Sequence, residues 1–337
     1  VLGNNDFWGR SIANIGDLNN DGVNDIVVGA AGDDRCANND NNCWDSGAIH
    51  IMFMNTDGSV DSTVEINDRT TNGPVLDNGD SFGISVENIG DLDGDGVNDI
   101  AVGAKGDDVA GANRGAVHIV FMNTDGSVDS TVKINDSTTN GPTLSNQDKF
   151  GGSVADIGDL NGDGVNDIAV GAEESDCVSC TGNNSGSAYI MFMNTDGSVD
   201  STVEINDSTT NGPVIIATDN FGNSIENIGD LNGDGVNEIA VGAQKDDGSG
   251  TERGAVYIMH MNTDGSIDST VEINSSTTNG PTLSDEDYFG SSIANIGDLD
   301  GNGVDDIAVG AQRDDMDENG DDDGGSNRGA LHILFLK

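Results

Sequence analysis

Positive charge is scarce in this chain. Of 337 residues, 12 are lysine or arginine and 61 are aspartate or glutamate, a formal charge of −49. A surface of that sign repels phosphate backbones and anionic headgroups, so nucleic acid and membrane surfaces are not expected partners. Aromatic residues make up 4%, and no apolar run approaches the roughly 20 residues of a bilayer span, which argues against membrane insertion. No basic, apolar leader precedes Val1, so any secretion signal is expected to have been removed or to lie elsewhere. Helical periodicity is almost missing. There are only four histidines. No Gly-x-Ser-x-Gly, phosphate loop or His-Glu-x-x-His is present, so the familiar hydrolytic and nucleotide chemistries lack their parts.

Low hydrophobicity with high charge is also the composition of disordered chains. Here, however, the apolar residues fall in regular blocks. The stretch beginning Trp8-Gly9-Arg10-Ser11 and ending Val28-Gly29-Ala30 recurs at Phe82, Phe150, Phe221 and Phe289. The first acidic residues of its central loop, Asp17, Asp91, Asp159, Asp230 and Asp298, lie 68 to 74 residues apart. A period of that length marks a repeat architecture. Each full repeat has four short apolar segments; in the second they run Phe82 to Ile89, Ile100 to Ala104, Gly115 to Met122 and Val128 to Ile134. Asp125-Gly126 between the last two is a hairpin signal. The third segment is apolar on both faces, as a strand sandwiched between neighbouring sheets must be.

These features predict an all-β fold, a β-propeller of five blades with four antiparallel strands each. The expected blades are 1–74, 75–142, 143–213, 214–281 and 282–337 of a single propeller domain at 1–337. The fifth repeat stops after Leu331-His332-Ile333-Leu334-Phe335-Leu336-Lys337, its third segment, so the last blade lacks its fourth strand. An exposed edge there would invite pairing with another chain. The central loop and the Asp-Gly hairpin share one rim. The other carries the variable loops, from about Ala31 to Ser46, Lys105 to Arg114, Glu173 to Ser185, Gln244 to Arg253 and Gln312 to Arg328. Variation confined to one face suits recognition of a ligand there.

Within each central loop, oxygen-bearing residues alternate. Positions 1, 3, 5 and 9 are Asp17, Asn19, Asp21, Asp25; Asp91, Asp93, Asp95, Asp99; Asp159, Asn161, Asp163, Asp167; Asp230, Asn232, Asp234, Glu238; and Asp298, Asp300, Asn302, Asp306. Position 6 is always glycine, which permits the sharp turn that faces the position 7 carbonyl of Val23, Val97, Val165, Val236 or Val304 inward. Calcium takes six to eight hard oxygen ligands, and this pattern supplies them, so about five Ca²⁺ are expected, one per blade. An EF-hand would need a glutamate at position 12, where valine stands in every copy. A sixth candidate, of the same spacing, is Asp315, Asp317, Asn319 and Asp323 in the last variable loop.

Two close cysteine pairs, Cys36 with Cys43 and Cys177 with Cys180, read as short-range disulfides; one zinc held by all four thiolates is the rival. Disulfides imply an oxidising, extracellular setting, and sequons at Asn135, Asn183, Asn206 and Asn274 agree with it.

Phe82-Gly83 at the start of a repeat, the acidic loop and then Val102-Gly103-Ala104 resemble the FG-GAP repeat of the integrin α-subunit β-propeller and its microbial relatives. The proline that often ends the motif is absent, and Trp8 replaces the first phenylalanine. The resemblance implies calcium in the strand 1 to 2 loops, secretion, and roles in adhesion and recognition. Integrin propellers have seven blades, against five repeats here.

His50, His118 and His332 share one third-strand position with Tyr189 and Tyr257, and His260 stands where other repeats have phenylalanine, so the histidines are expected in packing rather than catalysis. The recurring pairs Asp33 and Asp34, Asp107 and Asp108, Asp246 and Asp247, and Asp314 and Asp315 have the two carboxylates of a glycosidase. Ion pairing with Arg114, Arg253 or Arg328 explains them more simply. The expected function is therefore non-enzymatic: a calcium-binding, secreted or cell-surface propeller for adhesion or surface structure, able to self-associate through its last blade. The alternatives are a carbohydrate-binding module using Trp44 and Tyr288 to stack sugars, and a surface hydrolase. A protein or glycan ligand on the variable rim is the expected partner.

Overall fold

The computed structural model describes residues 3, 5–34, 44–108, 111–176, 183–248, 250–315 and 328–337, and every regular element among them is a β-strand. The apolar segments are too short for helices and rich in valine and isoleucine, which suit a pleated surface, and Asp-Gly, Asn-Gly and Gly-Asp steps end them. The first sheet holds β1 (Trp8–Gly16), β2 (Asp25–Ala30), β3 (Ala48–Met54) and β4 (Val60–Ile66) in that order. The second holds β5 (Val86–Gly90), β6 (Asp99–Ala104), β7 (Ala116–Met122) and β8 (Val128–Ile134). The third holds β9 (Phe150–Gly158), β10 (Asp167–Ala172), β11 (Ser187–Met193) and β12 (Val199–Ile205). The fourth holds β13 (Phe221–Asn227), β14 (Ile239–Ala243), β15 (Ala255–Met261) and β16 (Ile267–Ile273). The fifth has three strands, β17 (Phe289–Gly297), β18 (Asp306–Ala311) and β19 (Ala330–Leu334). Each is a meander, so the fold is an all-β propeller of five blades, the last one strand short.

The chain divides into two compact units, one of Val1–Asp156, Gly164–Ile168 and Met191–Thr202, the other of Ile157–Asp163, Ala169–Ile190 and Val203–Lys337. In the first, Ile49, Ile51, Phe82, Ile100, Val102 and Val120 form part of one apolar core. In the second, Val256, Ile258, Phe289, Ile307 and Val309 do the same. All seven residues of β7, apolar on both faces, are buried. The fourth strands β8 and β16 carry mostly exposed or half-buried side chains.

The first segment of the second repeat begins later than the run from Phe82 suggests. Ser81 and Gly83 both take positive φ, as Lys149 and Gly151 do around Phe150, where the strand nevertheless starts at the phenylalanine. Phe82 instead makes a parallel bridge to Gly47 of the preceding repeat, and regular pairing starts at Val86. Gly115 with Phe150, Gly186 with Phe221 and Gly254 with Phe289 repeat this bridge. Glycine is required where blades approach: a Cβ on Gly103 would lie 2.0 Å from the carbonyl oxygen of Gly151 and 2.3 Å from Ser85 Oγ. That serine hydroxyl donates to the same carbonyl at 2.9 Å, as Ser11 does to Gly83 and Ser224 to Gly290.

Candidate metal centres

The β1 to β2 loop and its counterparts fold around their own carboxylates. In the fourth repeat Asp230 accepts the N–H groups of Gly233, Asp234 and Gly235 at 2.7 to 3.0 Å, and Asn232 Oδ1 accepts that of Asp234. Asp17 accepts Asp21 and Gly22, and Asp298 accepts Gly301, Asn302 and Gly303. In the third repeat Asp159 accepts Gly162 and Asp163, and Asn161 holds Asp163 from both ends of its amide. Asp95 Oδ1 accepts Val97 N–H at 2.8 Å in the second. The position 6 glycines, Gly22, Gly96, Gly164, Gly235 and Gly303, take φ between 89° and 93°, the left-handed turn that this winding demands.

Position 9 is the anchor. Asp25, Asp167, Glu238 and Asp306 are fully buried and Asp99 is 1% exposed. In three repeats it grips both ends of the blade: Asp99 Oδ2 accepts Leu92 N–H from the loop, and Oδ1 accepts Met122 N–H from the end of β7, both at 3.0 Å. Asp25 does the same with Leu18 and Met54, Asp306 with Leu299 and Leu336. Asp167 accepts Met193, and Glu238 accepts Leu231. The loop and the hairpin end of the third strand are thereby held together.

Carboxylates converge beside this anchor. One oxygen from each of Asp91, Asp93 and Asp99 lies within 4.8 Å of the others, and the same holds for Asp230, Asp234 and Glu238 and for Asp298, Asp300 and Asp306. Burial pushes the Asp99 carboxyl up to about 7 against the pull of its two N–H donors, and the charges of Asp93 and Asp95 push the same way. Glu238 is likewise raised by burial, and His260, 3.6 Å away, partly offsets it. Such crowding of like charge is costly unless a cation or proton intervenes. The donors are all hard oxygens, so the residues present fit a divalent cation.

Position 8 of the loop does work that the repeat pattern alone did not single out. Asn98 Nδ2 donates to Ile15 O of the preceding blade at 3.0 Å, Asn166 to Ile89 O at 3.3 Å, and Asn237 to Ile157 O at 3.1 Å. Loop and blade packing are thus coupled through one side chain.

Elsewhere the structure redistributes several sequence expectations. Two of the arginines pair elsewhere than on the double aspartates: Arg114 pairs with Asp136 and Arg253 with Asp285, while Asp107 pairs with Lys133. The second aspartate of three of the four pairs braces its loop by accepting a backbone N–H, Asp34 from Asp45, Asp108 from Asn113 and Asp247 from Glu252. Tyr288 is 6% exposed, with its hydroxyl on Glu252 and Arg313 stacked 4.2 Å from its ring centre, so it cannot stack a sugar; Trp44 is 57% exposed. His118 is buried edge-on to Phe82 with ring centres 5.3 Å apart, and half-buried His332 meets Phe289 edge-on at the same distance. Asn135, Asn206 and Asn274 are buried and cap local turns through Ser137, Ser208 and Ser276, whereas Asn183 is exposed. Cys36, Cys43, Cys177 and Cys180 lie outside the described residues, as do Asp317, Asn319 and Asp323 of the sixth candidate.

A five-bladed propeller whose blades each open on an acidic, glycine-turned loop belongs to a recognisable class of repeat protein. The FG-GAP repeat model matches residues 8–52, 82–120, 151–191, 221–259 and 289–334, and the chain belongs to that family. It is similar to integrin alpha-6 of Gallus gallus, 36% identical over 167 residues, which is 50% of this chain and 14% of the relative. Integrin alpha-4 of Xenopus laevis is 32% identical over 162 residues, 48% of this chain and 14% of the relative. Integrin alpha pat-2 of Caenorhabditis elegans is 30% identical over 240 residues, 66% of this chain and 17% of the relative. The chain thus matches only a small part of each relative's length. No helix among the described residues is long and apolar enough to cross a membrane.

Proposed function

We propose that this is a calcium-binding, non-enzymatic recognition propeller that works outside the cell, in adhesion or cell-surface structure. The observation that carries the reading is the buried position 9 carboxylate at the foot of each acidic loop, flanked in three loops by two further acids within 4.8 Å. Calcium is favoured because the set is all oxygen and the loops are short and backbone-rich; magnesium prefers to keep its waters. Five ions, one per blade at the twenty-five loop positions named above, take the place of the protons that burial would otherwise force onto groups such as Asp99. The kinship with integrin α-subunits supports a protein ligand. The residues that vary between repeats lie in the β2 to β3 connections, which supports recognition on that rim.

The test is capture of extracellular-matrix proteins by the immobilised chain, with calcium and with EDTA. Calcium-dependent capture of a defined protein is expected; capture indifferent to EDTA, or none, would contradict the reading. A second reading, glycan binding, rests on exposed Trp44 alone and is excluded by a blank glycan array in calcium. Self-association has its own support in β19, which among the described residues has an unpaired edge and carries Leu331 at 68% and Ile333 at 39% exposure. Light scattering that shows only monomers in calcium would remove it.

A further inference from the structure

The fourth strand of a blade is held from two sides, by the third strand of its own blade and by the linker that ends the preceding repeat. On the first side the register is common: Val117 faces Ile134, Val120 faces Thr131 and Met122 faces Val128, and β15 with β16 repeats it. On the second side the contacts are polar. Thr131 Oγ1 donates to Asn72 O at 2.9 Å, Thr202 to Asn140 O at 2.7 Å and Thr270 to Asn211 O at 2.7 Å. The asparagine side chain answers at the start of the strand, where Asn140 Nδ2 donates to Val199 O at 3.5 Å and Asn211 Nδ2 to Ile267 O at 3.3 Å. Strands held in this way are well covered: Val128, Val199 and Ile267 are 4% exposed. Val60 opens β4, which among the described residues has no such linker against it, and is 42% exposed.

The fourth repeat ends in the same linker, and Asn279 takes the same left-handed turn, φ 61° against 57° to 59° for Asn72, Asn140 and Asn211. Among the described residues, however, the fifth blade has no strand beyond β19, so Asn279 meets no threonine hydroxyl. Beside it lies a groove of about 480 Å³ lined by Ile273, Asn279, Gly280, Leu334 and Leu336 among others. Ile66, Ile134 and Ile205, the counterparts of Ile273, are fully buried, whereas Ile273 is half-buried. Leu334 pairs with Ile307 as Val120 does with Ile100, which sets β19 in the common register. In that register a threonine opposite Leu334 reaches Asn279 O, and the first residue of its strand, opposite Leu336, reaches Asn279 Nδ2.

We propose that this groove docks one extended strand of another polypeptide, of the type Val-Asp-Ser-Thr-Val-Glu-Ile that β4 and β12 carry, apolar at both ends with a threonine at the centre. The strand adds antiparallel to β19: its backbone satisfies the open edge, and the groove and Asn279 select its side chains. Its glutamate faces His332 as Glu65 faces His50. The proposal goes beyond the self-association reading, with which it shares the open edge, because the donor need not be a second copy.

A fluorescent peptide of the sequence Val-Asp-Ser-Thr-Val-Glu-Ile, added to the full chain in calcium and followed by polarisation, tests this. Saturable binding is expected, with hydrogen–deuterium exchange slowed over 273–280 and 330–337. A peptide with valine in place of the threonine should bind about fivefold more weakly, as one hydrogen bond is lost. Asn279→Gly, which keeps the left-handed turn and loses the amide, should have a similar effect. A chain extended past Lys337 by the sequence of Thr195–Ile205 fills the groove itself and should bind no peptide. No binding, equal binding of a scrambled peptide, or protection confined to other segments would overturn the proposal. Peptide binding by a chain that stays monomeric in light scattering sustains it while removing self-association, and assembly without peptide binding does the reverse.

Discussion

Replacing Gly103 by alanine should cost far more than replacing Gly310, although both occupy the same place in the repeat. At Gly103 the new methyl group would sit 2.0 Å from Gly151 O and 3.0 Å from Gly151 C, backbone atoms of the next blade, and 2.3 Å from Ser85 Oγ. Neither blade can rotate a backbone carbonyl aside, so one must shift by about an ångström; overpacking of that kind costs about 1–3 kcal/mol. Displacing Ser85 also breaks its hydrogen bond to Gly151 O, adding about 1 kcal/mol. The sum is about 2–4 kcal/mol. At Gly310 the methyl would meet only Ser292 Oγ at 2.5 Å and Ser291 Oγ at 3.2 Å, hydroxyls that can turn away, so less than about 1 kcal/mol is expected. Urea denaturation of both variants and of Ser85→Ala, followed by far-ultraviolet dichroism in saturating calcium, measures the difference. Equal midpoints for Gly103→Ala and Gly310→Ala would refute the claim that blades are in backbone contact there.

Other outcomes follow from the same contacts. Asn98→Ala removes the link from the second loop to Ile15 O and should cost about 1 kcal/mol in denaturant while leaving metal content unchanged. His118→Phe should be neutral or stabilising, because both ring nitrogens are buried without hydrogen-bond partners and burial lowers the imidazole to about 3, leaving it neutral at working pH. In EDTA, Asp80, Asp99, Asp219 and Asp287 have folded-state values raised to about 6 to 7 from 3.8, so the folded chain binds more protons than the unfolded one between these limits. Chelated protein should therefore lose stability as pH rises from about 4 to 7, and calcium-loaded protein should lose it as pH falls; thermal melts across that range in both buffers check the opposed slopes. Asp99→Asn, which keeps the shape but removes the charge, should abolish ion binding in the second blade alone, measured as the loss of one bound ion by calorimetric titration.

Much of this molecule is legible because it repeats. The glycine at position 6 predicts a left-handed turn, and Gly96 at φ 93° takes it. The Asp-Gly step after Phe121-Met122 predicts a hairpin, and β7 and β8 pair across it. Both are local, decided within a few residues. What the pattern leaves hidden is set by contacts across repeats. Nothing near Arg114 in the chain indicates that it will reach Asp136 rather than Asp107, since that depends on where β8 delivers Lys133. Tyr288 reads as a rim aromatic until Arg313 is folded over it. The Asn of the Val-Asn-Asp step looks like another turn residue, yet its partner lies 77 to 83 residues earlier. A signal was available in the recurrence of that Asn, and in the exchange of Asp for Glu238 where Phe gives way to His260, which meet at 3.6 Å.

The most direct measurement is the melting temperature of the chain stripped with EDTA, then titrated with calcium, with bound metal counted by elemental analysis. Each loop site filled at a hundred times its dissociation constant adds about 2.7 kcal/mol. Several sites together should therefore raise the midpoint by about 10 °C or more. The account predicts such a rise with at least five calcium ions retained per chain. A midpoint unmoved by EDTA, with no metal retained after dialysis, would show that the acidic loops of the blades are turns and nothing else.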